Sequence, residues 1–519
     1  MTTTNQHANS GEVHPVNSIR FMKRRTDRKR PLLSLLAVAL GVFCGSAVSA
    51  QEEKTYPASR VQKFTFGDTL EEQEAQLRDN PQLEHFSRVR KGQAGDRYRP
   101  LYHYISPTGT MNDPNGLCFW QGRWHMFYQA WPGQDPRQHW AHVVSDDLIH
   151  WRDLPYAIYP GPENAAFSGN AIVEEDRVIV MYLGHRYGEM VATSSDPLLL
   201  NWTKIGDGAV IPDEKAMGIG EGREVFDPGI WKKDGTYYAL TQRAWGDMEG
   251  QLFRSEDLKT WERLHTFVEN DKYSFPRDDL SCPYFLPIGD RHIMLFFSHT
   301  RGGRYFLGDY DTDRDKFVVT AHDDFNFGAV TPGGVHAPSA FPDGKGGVIV
   351  IFNMNPGING RGGGQIMTLP RRLTLLSDNE VGVEPAGDIS SLRYDHQHIE
   401  GLTLPANEEV VLEKVRGNAM EISVEIAASA EKVGAGLVSP VLELNVLRSP
   451  NREEYTRIAF FRGRGRKAFY DKERGEGLIT IDSSYSSTRT DALLRAPETA
   501  SVMLDHDEPL KLRVFIDRS

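Results

Sequence analysis

The sequence predicts an all-β protein, a five-bladed β-propeller followed by a β-sandwich. Between residues 99 and 393, a polar turn followed by an aromatic–aliphatic strand recurs five times. The copies are RWHMFY after Gly122, RVIVMY after Asp176, TYYAL after Gly235, RHIMLFF after Asp290 and GVIVIF after Gly346. Their starts lie 54, 59, 55 and 56 residues apart, the period of strand-rich propeller blades. A second series runs in step: DDLIHW after Ser145, SDPLLLNW after Ser194, EDLKTW after Ser255 and, more weakly, DTDRDKF after Tyr310. Long amphipathic helices between the strands, which a parallel α/β fold needs, are not readable.

The elements follow in order along 519 residues of formal charge −12. A basic run from Lys23 to Arg30, a 12-residue apolar stretch from Leu32 to Phe43 and the small residues Val48 to Ala50 read as a signal peptide over residues 1–50, cleaved after Ala50. The apolar stretch is short of the ~20 residues of a membrane span, so no span is expected after cleavage; an uncleaved anchor is the competing reading. The first 50 residues carry seven Lys and Arg against two Asp and Glu, so their removal takes the charge from −12 to −17. The expected product is exported, secreted or periplasmic, and too acidic to favour nucleic acid. Residues 51–97 form a polar extension with a surface helix over Leu70 to Phe86, interrupted near Pro81. The propeller is expected over residues 98–392. Residues 393–519 show strands such as EISVEI after Met420 and KLRVFI after Leu510 without the blade period, which suggests a sandwich.

The repeat also locates a site. Asp113, Ser168, Asp227 and Ser281 precede their repeat starts by 9, 8, 8 and 9 residues. Equal offsets in equivalent blades put these side chains in one ring around the propeller axis. A lone Asp-Pro or Ser-Gly is most simply a turn; four in register are not. Two carboxylates facing one pocket suit cleavage of a glycosidic bond. Asp113 is the candidate nucleophile, in a constrained turn where the amides of Asn115 and Gly116 are placed to stabilise it. Asp227 is the candidate for holding sugar hydroxyls. Trp120, Trp124, Trp131 and Trp140 offer stacking faces near the first blade, with core packing as the plainer reading and the preferred one for Trp124.

The stretch HYISPTGTMNDPNGL from His103, followed by FYQ from Phe127, HWAHVVSDDLIHW from His139 and FSG from Phe167, resembles glycoside hydrolase family 32, the invertases, inulinases and levanases. The resemblance implies a retaining mechanism with a fructosyl-enzyme on Asp113 and Asp227 as transition-state stabiliser. It places Asn112, Gln129 and Ser168 in the donor subsite, with Trp140 and Phe167 beside them. Two motifs depart from the family. Its Arg-Asp-Pro stands here as Phe226-Asp227-Pro228, with Arg223 the candidate substitute for the missing arginine. Its Glu-Cys-Pro stands as Ser281-Cys282-Pro283, and a serine hydroxyl is far too weak an acid to protonate a leaving group. Asp279, on the same strand face but displaced by ~6.6 Å, is the candidate acid/base, with Asp278, Glu221 and Glu224 as alternatives and a solvated turn as the bland reading. In the family further strands follow the final segment, so the resemblance implies an incomplete sandwich with an unpaired edge.

Three function classes follow: an exported β-fructofuranosidase acting on sucrose, levan or inulin; a hydrolase of another furanoside such as an arabinofuranoside; and a non-catalytic carbohydrate-binding protein. The expected partner is an oligo- or polysaccharide. No cofactor is expected, since two carboxylates suffice. No metal is expected either: His139 with His142 and His396 with His398 read as structural or exposed. The loop from Gly218 lacks the setting of a nucleotide site, and the basic run from Arg462 reads as a solvated hairpin. Cys118 and Cys282 flank the ring motifs, and pairing would need their Cα atoms within about 7 Å.

Overall fold

The computed structural model describes residues 55–109, 111–243, 248, 250–275, 277–330, 333–355, 365–427, 431–433, 436–438, 441–462, 474–492, 495–505 and 508–518. The expected signal peptide, the glycine-rich loop after Pro356 and the basic run beyond Arg462 lie outside the described residues.

The extension folds into two helices rather than one interrupted helix, α1 (Leu70–Arg78) and α2 (Pro81–Gln93). Thr69 and Glu72 close a capping box on α1, and Asn80 caps α2 with Pro81 in its first turn, so the proline starts a helix rather than breaking one. Both helices are anchored. Buried Gln73 donates to Asp196 and accepts from the Leu198 amide, Phe86 packs edge-on against Tyr156 at 6.0 Å, and Arg90 grips both oxygens of Asp153.

Five blades of mainly antiparallel strands follow. The first is β1 (Pro114–Trp120), β2 (Arg123–Ala130), β3 (His139–Ser145) and β4 (Arg152–Ile158). The second is β5 (Ala166–Val173), β6 (Val178–Gly184), β7 (Gly188–Ser194) and β8 (Thr203–Lys204), with β9 (Ile211–Pro212) beside β7. A short helix, α3 (Glu214–Met217), leads to the third: β10 (Gly229–Lys233), β11 (Thr236–Thr241), β12 (Gln251–Ser255) and β13 (Glu262–Thr266). In the fourth, β14 (Val268–Glu269) runs parallel to β18 (Lys316–Asp324), outside β15 (Ser281–Ile288), β16 (Arg291–Ser298) and β17 (Gly302–Asp311). The fifth is β19 (Gly334–Pro342), β20 (Val348–Asn355), β22 (Arg371–Ser377) and β23 (Glu380–Pro385), with β21 (Ile366–Met367) against β20. Among the inner strands β1 touches β5 and β19, β5 touches β10, and β15 touches β10 and β19, which closes the ring.

Both repeat series have a physical basis. The first marks the second strand of each blade, buried along most of its length between neighbouring blades, which is why it reads as continuous apolar sequence. The second marks the turn after the third strand. Asp147, Asp196 and Asp257 each accept a serine hydroxyl and two backbone N–H groups. Leu148, Leu199 and Leu258 take positive φ and turn their side chains into the core.

The inner strands do not hydrogen-bond to one another as a sheet; side chains bridge them. Asn115 Oδ1 accepts from the Gly169 amide, Asn170 Oδ1 from the Ile230 amide and Ser339 Oγ from the Leu117 amide. Tyr284 Oη accepts from the Gly116 amide and donates to the Gly169 carbonyl.

Residues 419–517 carry β24 (Ala419–Ile426), β25 (Glu431–Val433), β26 (Gly436–Val438), β27 (Val441–Val446), β28 (Thr456–Phe461), β29 (Arg474–Asp482), β30 (Glu498–Asp505) and β31 (Leu510–Asp517). Strands β27 to β30 form one sheet; β31 pairs along its whole length with β24, and that ribbon has no third strand among the described residues. Asp517 ties it to the propeller by accepting the amides of Leu101, Tyr102 and His103. No described helix is long and apolar enough to cross a membrane.

If the extension is part of the folded unit, Phe86→Ala should destabilise the whole protein by about 3 kcal/mol. Denaturant unfolding followed by tryptophan fluorescence checks this, with a lowered midpoint of a single transition as the expected result.

Candidate active site

Asp113 stands immediately before β1, and its backbone is clasped by β2: the Asn112 amide donates to the Gln129 carbonyl and the Gln129 amide to the Asp113 carbonyl. The Asp-Pro-Asn-Gly turn ends in a bulge at Gly116, whose φ is +53°. A Cβ there would meet the Phe127 ring at 3.1 Å, so the turn requires glycine on both counts. The Gly116 amide, expected to stabilise Asp113, points instead to Tyr284. The carboxylate is held by side chains. Oδ2 accepts from Ser168 Oγ at 2.7 Å, Oδ1 lies 3.2 Å from His336 Nδ1, and Asn353 Nδ2 stands 3.5 Å from Oδ1.

Asp227 enters from the turn before β10 in a left-handed backbone conformation, φ +48°, and faces Cys282, φ +50°. Its Oδ2 accepts the Cys282 amide at 3.2 Å and the Cys282 thiol at 3.4 Å. The same thiol lies 3.8 Å from Asp113 Oδ2, so Cys282 spans the two carboxylates. Burial and both carboxylates push this thiol well above its ordinary range, so it stays protonated and donates. Cys118 and Cys282 are both free and buried; they do not pair.

The two carboxylates are driven apart. Burial pushes Asp113 up, but His336, Ser168 and His299 pull harder and the net direction is down, toward the carboxylate. Asp227 is pushed up to about 7, first by burial and then by the Asp113 charge, against the donors of Cys282. Around them runs a network of amides. Gln129 donates to Ser168 and accepts from Asn112 and Gln138. Gln365 donates to Asn112 and accepts from Asn353.

The expected ring is therefore assembled in part. Asn112, Asp113, Gln129 and Ser168 are joined by hydrogen bonds in one cluster, and Asp227 meets it through Cys282. Ser281 does not face Asp113: its hydroxyl donates to Asp279 at 2.5 Å. Asp279 is fully buried, with Oδ2 also accepting His299 Nδ1 at 2.7 Å and Oδ1 accepting the His299 amide at 2.9 Å. Asp278 is neither acid nor solvated turn. It holds Ser298, Thr300 and Arg304 in a buried cluster. Arg223 does not substitute for the missing arginine, because its guanidinium is tied to Glu214 of α3. Trp140 is core, not a stacking face: it is fully buried against Phe127 and Tyr182 and donates to the Phe167 carbonyl. Phe167 itself stacks flat on His185, ring centroids 4.4 Å apart.

His299, His336, Asn353 and Gln365 are the site residues that sequence reading missed. A signal for Asn353 was present. Gln129, Gln242 and Asn353 each stand seven residues after their repeat starts, which makes a second polar tier at the ends of the second strands. Among the described residues no cluster suited to a metal ion occurs.

Paired carboxylates with opposed proton affinities at a propeller axis are the apparatus of a glycosidase. Sequence comparison takes that class to a family. Residues 103–385 match the glycosyl hydrolases family 32 N-terminal domain and residues 388–519 the family 32 C-terminal domain, and the chain belongs to this family. Among similar proteins are a sucrose-6-phosphate hydrolase of Zymomonas mobilis, 26% identical over 81% of this chain and 82% of that protein, and a levanase of Bacillus subtilis, 26% identical over 81% of this chain and 64% of that protein. Fructan 1-exohydrolase IIa from Cichorium intybus has the same fold, with TM-score 0.68 and 23% identity over 82% of this chain and 88% of that one.

The raised affinity of Asp227 has a thermodynamic consequence. The folded state binds this proton up to about pH 7, whereas an unfolded aspartate releases it near 3.8. The group therefore stabilises the fold at low pH, and that contribution is lost as pH rises through about 7. Asp227→Asn removes this dependence. Its Tm should exceed the parent's by roughly 2–4 °C at pH 8, with the gap closing toward pH 4, as calorimetry across that range would show.

Proposed function

We propose that the protein is an exported retaining β-fructofuranosidase that removes fructosyl units from sucrose, levan or inulin. The observation that carries this reading is that Asp113 and Asp227, both buried, face one thiol, Cys282 Sγ, at 3.8 and 3.4 Å, with their proton affinities driven in opposite directions. Similar proteins named as a levanase and a fructan exohydrolase support a fructoside as substrate. Asp113, held as the carboxylate, attacks the anomeric carbon and displaces the aglycone to give a fructosyl-enzyme; water then releases fructose with retained configuration. Asp227 grips the sugar hydroxyls, whose donated hydrogen bonds favour its ionised form, and its charge then faces the developing oxocarbenium. Asn112, Gln129, Ser168, Asn353 and Gln365 complete the polar lining. None of these five groups is cationic, which suits an uncharged donor sugar.

One observation favours a second reading, a different furanoside such as an arabinofuranoside. Phe226 stands where the family has arginine, its amide donating to Thr241, and Arg223, the candidate substitute, is tied to Glu214.

The test is sugar release by residues 51–519 from sucrose, inulin, levan and arabinan. Fructose is the expected product, and Asp113→Asn should lower kcat/KM by at least about 10³-fold with an unchanged far-UV spectrum. Arabinose release alone would establish the second reading. Binding without turnover on every substrate would make the protein a lectin-like relic.

A further inference from the structure

The acid that protonates the leaving group is absent from its family position, where Ser281 stands. Asp279, the carboxylate nearest in sequence, is a poor replacement. It is fully buried, and it accepts three hydrogen bonds, from Ser281 Oγ, His299 Nδ1 and the His299 amide, at 2.5, 2.7 and 2.9 Å. Its oxygens are taken up by these three donors and closed off from solvent, so this carboxyl does not reach a sugar. What it does is hold His299.

His299 follows β16, and its side chain keeps 26% of its surface exposed while the Asp279 side chain keeps 1%. Its ring packs edge-on against Phe297 at 4.9 Å. Phe297 in turn packs on His336 at 3.6 Å, and His336 is the imidazole 3.2 Å from the nucleophile. His299 thus belongs to the wall that carries Asp113's own partner, and it acts electrostatically on both Asp113 and Asp227. His336 Nδ1 faces the nucleophile directly, so this ring is placed toward Asp113 rather than the leaving group.

Given the retaining reading above, on which this rests, we propose that His299 is the general acid/base of the reaction and that Asp279 is its positioning residue. The carboxylate can only accept, so Nδ1 carries a proton toward Asp279, and the transferring atom is Nε2. Such an aspartate fixes the imidazole tautomer and stabilises the imidazolium, as in other aspartate–histidine pairs. The surroundings favour that cation. Burial pulls His299 down, but the Asp279 hydrogen bond and charge, with Asp227 and Asp113 behind it, reverse the direction.

In the first step Asp113 Oδ forms a bond to the anomeric carbon. The glycosidic C–O bond breaks with its electron pair on oxygen, and that oxygen takes the proton from His299 Nε2. The imidazole is left neutral. In the second step water attacks the same carbon and gives its proton to Nε2; the ester bond to Asp113 breaks, and carboxylate and imidazolium are restored. Ser281 keeps a role as a further donor to Asp279.

The test compares two fructosyl donors on the mature chain, sucrose and β-fructofuranosyl fluoride, whose fluoride departs without a proton from the enzyme. His299→Gln should lower kcat/KM for sucrose by about 10²–10⁴-fold and for the fluoride by less than tenfold. Azide, which needs no general base, should accelerate the variant's turnover and yield fructosyl azide. Asp279→Asn should show the same selective loss at smaller size, and keeps the question decidable if His299→Gln folds poorly. Equal losses on both donors, or a selective loss appearing in Asp227→Asn but not in His299→Gln, would overturn the assignment while leaving the fructosidase reading intact. An unmodified protein inactive on both donors, with Asp113→Asn indistinguishable from it, would overturn both.

Discussion

Everything at the centre of this protein depends on how a ring of five strands that cannot form a sheet is nonetheless closed. The inner strands of neighbouring blades splay from the axis, so their backbone groups have no ladder partners there, and buried orphans of this kind are costly. Side chains supply the missing partners. Asn115, Asn170, Tyr284 and Ser339 each join one blade to another through a backbone group. Turns that follow or precede these strands are thereby held at fixed distances across the axis. Two carboxylates brought together in a dry site repel, and only a framework that cannot relax outward keeps them there.

The proton inventory of the site follows from that confinement. Three carboxylates and two imidazoles share the centre. Asp113 lies against His336 and Asp279 against His299, whereas the donors to Asp227 are the amide and thiol of Cys282. A thiol is a weaker donor to a carboxylate than an imidazole N–H. Asp227 is therefore the member that takes the burden of burial, and its affinity for a proton rises while that of Asp113 falls. The thiol between them is an uncharged donor within reach of either carboxylate.

The propeller was legible because its repeats are local physics. A serine, an aspartate two residues on and a leucine at positive φ build the same turn in three blades, with Leu148, Leu199 and Leu258 as the plugs. Apolar second strands are legible for the same reason. The pocket was legible as far as register reached, which brings Asp113, Ser168 and Asp227 to one axis. Beyond register, sequence is silent. Ser281 and Asp279 are two residues apart, yet Asp279 lies outside β15, and its bonds to Ser281 and to His299, twenty residues on, depend on the pairing of β15 with β16. Arg223 is near Asp227 in sequence, but α3 presents Glu214 first, and the closer carboxylate takes the guanidinium. Trp140 has an aromatic face but no exposure, which only packing decides.

Where this chain departs from its family, the residue that follows each changed position is held in an unusual backbone conformation. Phe226 precedes Asp227 and Ser281 precedes Cys282, and both of these second residues hold positive φ. A non-glycine residue in that region costs of order 1–3 kcal/mol and persists only when its surroundings hold it there. Asp227 adds a second cost, burial beside another carboxylate, and Cys282 a third, a thiol desolvated between two acids. A protein that only bound a sugar would be served by an asparagine at position 227, which keeps the hydrogen bonds and tolerates the backbone without the charge. The expense is intelligible if the charge is used, facing a cationic transition state. The changed flanks, Phe226 and Ser281, then stand beside an axis whose two aspartates are both present.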